Sequence, residues 1–197
     1  HNVQIASVSA ATDKPAEGMR LDDVATARGL PPYETAVALL KANGGSVGMV
    51  GFAMSEENLE RILAHPLAMV CSDGGSFAIS GPARRGHPHP RGVGTFARVL
   101  ARYVRERKAL SLGAAIHKMS ALAAQRLRLE GRGMLRVGGA GDVVVFDPAT
   151  VADRATFASP FQYAVGITAV FVNGSMAFLD GQRGGRTKSV FQIDSQR

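Results

Sequence analysis

The stretch LAMVCSDGG, residues 67–75, decides how the chain is interpreted, because an apolar run ends there abruptly at a carboxylate. Leu67–Cys71 is short and continuously apolar, a pattern typical of a strand buried on both faces. Ser72, Asp73 and two glycines follow it. Asp73 is either a simple turn residue or a reactive acid presented where a barrel strand ends. These residues alone leave both interpretations open.

Outward from this stretch, the first half of the chain alternates predicted strands with predicted helices. The pattern predicts strands at residues 3–8, 47–53 and 67–71. It predicts one helix at residues 21–28, a second that begins at residues 31–32 and ends at residues 43–45, and a third between Ser55 and residues 65–66. Gly29, Asn43 and Pro66 are placed where helices stop, and Ser55 is placed where one begins. Continuous apolar strands separated by helices predict parallel βα units.

The second half of the chain has a different pattern. A helix is predicted between Leu112 and Leu127, and glycines at residues 131 and 133 end it. Strands are predicted at Val143–Phe146, Ile167–Val172 and Met176–Leu179, with Asn173–Gly174 as a hairpin turn. The change of pattern predicts two substructures, residues 1–130 and residues 131–197.

Composition limits the class of protein. The chain has 197 residues, 46% hydrophobic and 20% charged, which predicts a real core rather than disorder. A single cysteine excludes a disulfide framework and fits a reducing compartment, so we expect a cytoplasmic protein. No apolar run reaches about 18 residues, so no membrane span is expected. The chain opens at His1 without a methionine or signal peptide, and we expect that a preceding segment is missing.

The formal net charge of +7 is concentrated between Arg84 and Lys108, which hold eight basic residues and one acid, Glu106. Such a cluster raises the possibility of nucleic-acid binding. The same segment carries an apolar stripe at helical spacing, formed by Phe96, Val99, Leu100 and Tyr103. We therefore favour a helix packed on the core, whose solvated face carries Arg98, Arg102 and Arg105.

Several short motifs together resemble one family. They are MSEE at residues 54–57, HP at 65–66, SDG at 72–74 and HPHPRGVGTF at 87–96, followed by GDVVVFDP at 141–148, DRATF at 153–157 and VNG at 172–174. In this order they resemble the N-acyl-D-amino-acid deacylase (D-aminoacylase) family of the amidohydrolase superfamily. The combination of SDG with HPHPRxxGTF is the most specific part of the resemblance.

The resemblance implies an α/β fold. Residues 1–130 would be the C-terminal βα units of a metal-dependent (β/α)8-like barrel, and residues 131–197 a small β-sandwich segment. It implies hydrolysis of the amide bond of N-acyl-D-amino acids with one or two zinc ions. The family's His-x-His pair and its cysteine ligand match nothing in this chain, so the zinc ligands are expected mostly in a missing N-terminal barrel half. That half and a small N-acyl amino acid are the expected partners, with no nucleic acid and no membrane.

The resemblance also assigns roles to three residues. Asp73 would be the general acid–base of amide hydrolysis and, as a weaker alternative, a metal ligand. Arg91 would bind the substrate α-carboxylate through paired hydrogen bonds, held in place by the stiff proline-rich loop before it. Met54 would line the substrate pocket, with a core methionine as the alternative.

Other candidates are given structural roles. His87 and His89 form an H-x-H pair that can bind a metal, but they match the family's loop rather than its ligand strand. Cys71 is expected to be a small buried core residue, and His65 and His117 to be structural. A rival function remains, namely a non-catalytic scaffold or binding chain that lacks the metal half.

Overall fold

The computed structural model describes residues 2–183 and begins with a small antiparallel sheet. Strand β1 (Val3–Ser7) pairs with β2 (Gly48–Gly51), with Gln4 opposite Val50. Both strands lie where the sequence predicts them. The predicted parallel pairing is wrong for this pair, because β1 and β2 run antiparallel, with three short helices between them in the chain.

The two helices between these strands begin and end at the predicted signals. Helix α1 (Leu21–Arg28) ends at Gly29, whose φ of +64° lets its N–H bond the last turn. Helix α2 (Pro32–Ala42) has a proline in its first turn and ends at Asn43. A short 3₁₀ helix, Ala11–Ala16, precedes them. The first hydrophobic core lies between these helices and β1 and consists of Ile5, Val8, Ala16, Val24 and Leu39.

Helix α3 (Glu56–Ala64) follows β2 and is capped as predicted, because the Ser55 hydroxyl oxygen accepts a hydrogen bond from the Asn58 N–H. The strand predicted at Leu67–Cys71 is wrong. This segment has no strand neighbour among the described residues, and strand pairing needs one. Cys71, expected to be buried, is exposed for the same reason.

Residues 91–106 of the basic segment form one continuous helical stretch, called the basic helix below. Helix α4 (Arg91–Arg98) runs into a π-helical segment, Val99–Glu106. The predicted inner stripe is confirmed at Val99, Leu100 and Tyr103, which are buried, whereas Phe96 is 46% exposed.

The sequence suggested that the face opposite the stripe is simply solvated. In the structure its arginines have protein partners. Arg98 pairs with Asp153, Arg102 with Glu56 and Arg107 with Glu60. Arg105 donates to the backbone carbonyls of Pro148 and Val151. The cations of this helix therefore tie neighbouring segments to it.

The predicted helix at residues 112–127 is present but interrupted. Helix α5 (Leu112–Met119) and helix α6 (Ala121–Arg126) meet at Ser120, which has φ −135° and ψ −83°. The second hydrophobic core joins α3, the basic helix and α5, and it includes Leu63, Leu100, Tyr103, Ala115 and Val151. None of the helices among residues 2–183 is long and apolar enough to cross a membrane.

The remaining strands form one antiparallel sheet in chain order. They are β3 (Val143–Phe146), β4 (Ile167–Val172), β5 (Ser175–Leu179) and β6 (Gln182–Arg183). The hairpin turn is confirmed at Asn173 and Gly174, both with positive φ. Phe146 and Ile167 pack against the second core, so this sheet rests on the helical part. The boundary at residue 130 stays a prediction.

Candidate functional site

The structure brings together the two residues to which the sequence assigned the chemistry. Arg91 Nη2 lies 2.9 Å from Asp73 Oδ2, and the Asp73 side chain is 80% exposed. Asp73 has φ +44°, a conformation that asparagine and aspartate tolerate better than most residues. An accessible carboxylate therefore stands beside a guanidinium at the start of α4.

Glycines on both sides let the Asp73 loop pack directly on the start of α4. A Cβ added to Gly74 would lie only 2.6 Å from Gly92 Cα. A Cβ on Gly75 or Gly92 would lie 3.2 Å or 3.1 Å from the ring of Phe77. Close backbone contact, rather than turn flexibility alone, explains the residue type at Gly74.

His89 holds the backbone at Arg91. Its Nδ1 accepts a hydrogen bond of 3.0 Å from the Arg91 N–H. Burial, and then the positive charges of Arg91 and Arg98, lower the pKa of His89. The ring is therefore neutral at neutral pH and keeps Nδ1 free to accept. On the other side, the Thr95 hydroxyl donates to the Arg91 carbonyl oxygen at 2.9 Å.

Both histidines of the H-x-H pair contact Phe157. His87 Nε2 lies 2.7 Å from the Phe157 carbonyl oxygen, to which it donates. The His89 ring packs edge-to-face on the Phe157 ring. Among residues 2–183 no three His, Cys, Asp or Glu side chains come together as a metal site. The described residues thus do not fit a zinc ion by themselves, and Asp73 as a metal ligand stays a prediction.

Met54 lies away from the pair of Asp73 and Arg91, at an open hollow beside α3. Its side chain is 70% exposed and lines an open hollow of about 750 Å³ beside α3. Asn58, Arg61, Ile62, His65 and Leu67 line the same hollow, whereas Asp73 and Arg91 do not. The role of Met54 in a substrate pocket stays a prediction.

The supporting roles of two residues were missed by the sequence argument. Lys118 is only 5% exposed, and its Nζ donates to the carbonyl oxygens of His65 and Ala68, which fixes the segment that leads to Asp73. Its position three residues after the buried Ala115 placed it on the inner face of α5, and this spacing was the available signal.

Glu56 is the second of these residues, and it joins α3 to the π-helical segment. Its Oε1 accepts hydrogen bonds from Arg102 Nε at 2.8 Å and from the Tyr103 hydroxyl at 2.7 Å. The hydrogen bond from Arg102, followed by that from Tyr103, lowers the pKa of Glu56. Glu56 belongs to the MSEE motif, but no local pattern indicated this bridge, because its partners lie more than 40 positions away in the chain.

Known proteins resemble this chain in sequence and in structure. The amidohydrolase family model matches residues 77–178. An N-acyl-D-aspartate deacylase of Alcaligenes xylosoxydans xylosoxydans is 47% identical over 77% of this chain and 28% of its own length. A D-aminoacylase of the same organism is 42% identical over 86% of this chain and 33% of its own length.

Solved structures give the same picture. The crystal structure of N-acyl-D-glutamate deacylase from Bordetella bronchiseptica, complexed with zinc and a phosphonate inhibitor that mimics the tetrahedral reaction intermediate, superposes with a TM-score of 0.80 and 37% identity. The match covers 94% of this chain and 36% of that one. The chain thus spans about a third of the length of the proteins it resembles.

Proposed function

This chain belongs to the amidohydrolase family, and from that premise we propose that it forms part of an enzyme that hydrolyses the amide bond of N-acyl-D-amino acids. The deacylases described above support this substrate class. In the proposal, residues 1–130 are C-terminal βα units of a (β/α)8-like barrel and residues 131–197 a β-sandwich segment. The remainder of the barrel is the required partner, and the enzyme is cytoplasmic.

The observation that carries the proposal is the 2.9 Å contact between Arg91 and Asp73. Arg91 already binds a carboxylate, so its geometry suits the α-carboxylate of an N-acyl amino acid. In such a substrate the scissile nitrogen lies only two bonds from the carboxylate carbon. A substrate carboxylate seated on Arg91 therefore brings the scissile amide next to Asp73.

The proton steps follow from this placement. The substrate carboxylate replaces that of Asp73 on the guanidinium, and Asp73 becomes free to act as a base. It accepts a proton from the attacking water as the new C–O bond forms. It then donates that proton to the nitrogen as the C–N bond breaks, which gives a carboxylic acid and a free amine. Transfer of the acid's proton to the more basic amine leaves a carboxylate and an ammonium group as products.

Zinc is the proposed metal, as one or two ions. Because the described residues form no ligand set, its ligands are assigned mostly to the part of the fold outside the 36% of the solved relative that this chain covers. Asp73 contributes at most one ligand. Met54 is assigned to the substrate pocket through the hollow that it lines.

The test is a comparison of two substrates in the complete enzyme, with this chain complemented by the rest of the fold. Arg91→Lys keeps the charge but loses the paired geometry. A charged hydrogen bond contributes about 1.5–3 kcal/mol, so kcat/KM for the free acid should fall by about one to two powers of ten. Substrates whose α-carboxylate is blocked as an amide should be affected little.

Arg126→Lys, at the exposed end of α6, is the matched control and should change neither substrate. Equal slowing of both substrates by Arg91→Lys would contradict the carboxylate assignment. Absence of turnover in the zinc-loaded complete enzyme would instead favour the rival function, a non-catalytic scaffold.

A further inference from the structure

The DRATF segment, residues 153–157, belongs to the family resemblance, yet neither Asp73 nor Arg91 accounts for it. Its two ends contact the loop and the helix that carry Arg91. We propose that this segment positions Arg91 for binding of the substrate α-carboxylate, an inference that rests on the proposed deacylase function. Asp153 and Phe157 are then positioning residues, acting through Arg91 rather than on the substrate.

At the C-terminal end of the segment, Phe157 supports the residue that holds Arg91. The ring centroids of Phe157 and His89 are 4.8 Å apart at an interplanar angle of 77°, and Phe52 packs on Phe157 at 4.8 Å. Edge-to-face pairs of this kind fix ring orientation. His89 in turn accepts the Arg91 N–H through Nδ1. A displaced Phe157 ring therefore moves the acceptor of the Arg91 backbone.

The backbone of Phe157 fixes the start of the same loop. Its carbonyl oxygen accepts from His87 Nε2 at 2.7 Å and from Gln4 Nε2 at 3.3 Å. Between His87 and Arg91 the chain contains two prolines, which hold the backbone in a narrow range of conformations. A displacement at His87 is therefore transmitted along the loop to Arg91 rather than absorbed.

At the N-terminal end of the segment, Asp153 fixes the orientation of α4. Asp153 Oδ2 lies 3.2 Å from Arg98 Nη1, and its side chain is 15% exposed. A Cβ added to Gly94, in the first turn of α4, would lie 3.2 Å from Asp153 Cβ. The segment thus contacts the helix at its first turn and again one turn later, which restricts both tilt and rotation.

The residues just before the DRATF segment anchor it to the chain that leads into β4. Ala152 and Val165 exchange two backbone hydrogen bonds of 3.2 Å and 2.9 Å. Val151, just before it, is almost fully buried in the second core, and its carbonyl oxygen accepts from Arg105 at 2.8 Å. The position of Arg91 therefore depends on the part of the chain that forms the four-stranded sheet.

The test measures Phe157→Leu, Phe157→Tyr and Asp153→Asn in the complete enzyme, with Arg91→Lys alongside. Kinetics use the free-acid substrate and the same substrate with its α-carboxylate blocked as an amide. A misplacement of about 1 Å can cost on the order of 10²-fold in rate. Phe157→Leu and Asp153→Asn should therefore lower kcat/KM for the free acid roughly tenfold or more, chiefly through KM. The blocked substrate should change little, and Phe157→Tyr should retain the free-acid preference.

Phe178→Leu is the matched control, the same substitution on β5 away from the loop, and it should alter the two substrates equally if at all. If Arg91→Lys is selective for the free acid but the DRATF variants slow both substrates equally, the segment only stabilises the fold and the inference is overturned. If Arg91→Lys itself is not selective, the carboxylate assignment fails first and the inference fails with it. Should Phe157→Leu fail to fold, Asp153→Asn decides.

Discussion

Replacing Gly74 by alanine should push the Asp73 loop away from α4. The new Cβ would lie 2.6 Å from Gly92 Cα and 3.1 Å from Gly92 N, both backbone atoms that cannot rotate away. Nonbonded carbon atoms prefer separations of about 3.5–4.0 Å, so one of the two backbones must move by about 1 Å. Gly74 does not have a positive φ, and the effect is therefore steric overlap rather than backbone strain.

Overpacking of this kind costs about 1–3 kcal/mol in the free energy of unfolding. At roughly 2–4 °C per kcal/mol for a chain of this size, the Tm should fall clearly in a thermal melt. Because Gly92 follows Arg91 directly, the same shift should separate Asp73 from Arg91, and kcat/KM of the complete enzyme should fall by up to about 10²-fold.

Gly51→Ala is the control for this substitution, since a Cβ there meets nothing within 4 Å. It should leave both the Tm and the kinetics near those of the wild type. A Gly74→Ala protein that melts and turns over like Gly51→Ala would refute the argument that close packing of the Asp73 loop on α4 builds the site.

Other substitutions test the site and the fold separately. Asp73→Asn keeps the size but cannot take up a proton, so kcat of the complete enzyme should fall by roughly 10²–10⁴-fold with an unchanged Tm; near-normal turnover would reduce Asp73 to a turn residue. This chain by itself, with zinc and an N-acyl-D-amino acid, should show no metal-dependent turnover, because its described residues hold no ligand cluster. Ser55→Ala should cost about 1 kcal/mol of unfolding free energy through the lost cap of α3, whereas Ser80→Ala, in an exposed bend, should not. Because the pKa of Glu56 is lowered in the folded state, its contribution to stability is complete above the unfolded-state pKa of about 4.3 and is lost as the pH falls through the folded value. Glu56→Gln should therefore flatten the acid limb of a plot of stability against pH, and an unaltered limb would contradict this.

The sequence by itself determined features that depend on neighbours a few residues away. Gly29 ends α1, Ser55 caps α3, and Asn173 with Gly174 forms the turn between β4 and β5. The apolar stripe of the basic helix was also predictable, because helical spacing alone places Val99 and Tyr103 on one face. Asp73 and Arg91 were found as single residues through a resemblance, without any indication that they touch.

Tertiary structure alone decided which distant segments meet. The apolar run at Leu67–Cys71 suited a buried strand, but a strand also needs a hydrogen-bonded neighbour, and the described chain supplies none. In the same way, β1 and β2 had strand patterns that do not encode the direction of pairing. The sequence also does not reveal the ionic partners: Arg102 pairs with Glu56, 46 residues away in the chain, and Arg98 pairs with Asp153, 55 residues away. Local residue patterns report the conformation of a segment, whereas the contact between Asp73 and Arg91 depends on how loops and helices pack once the chain has folded.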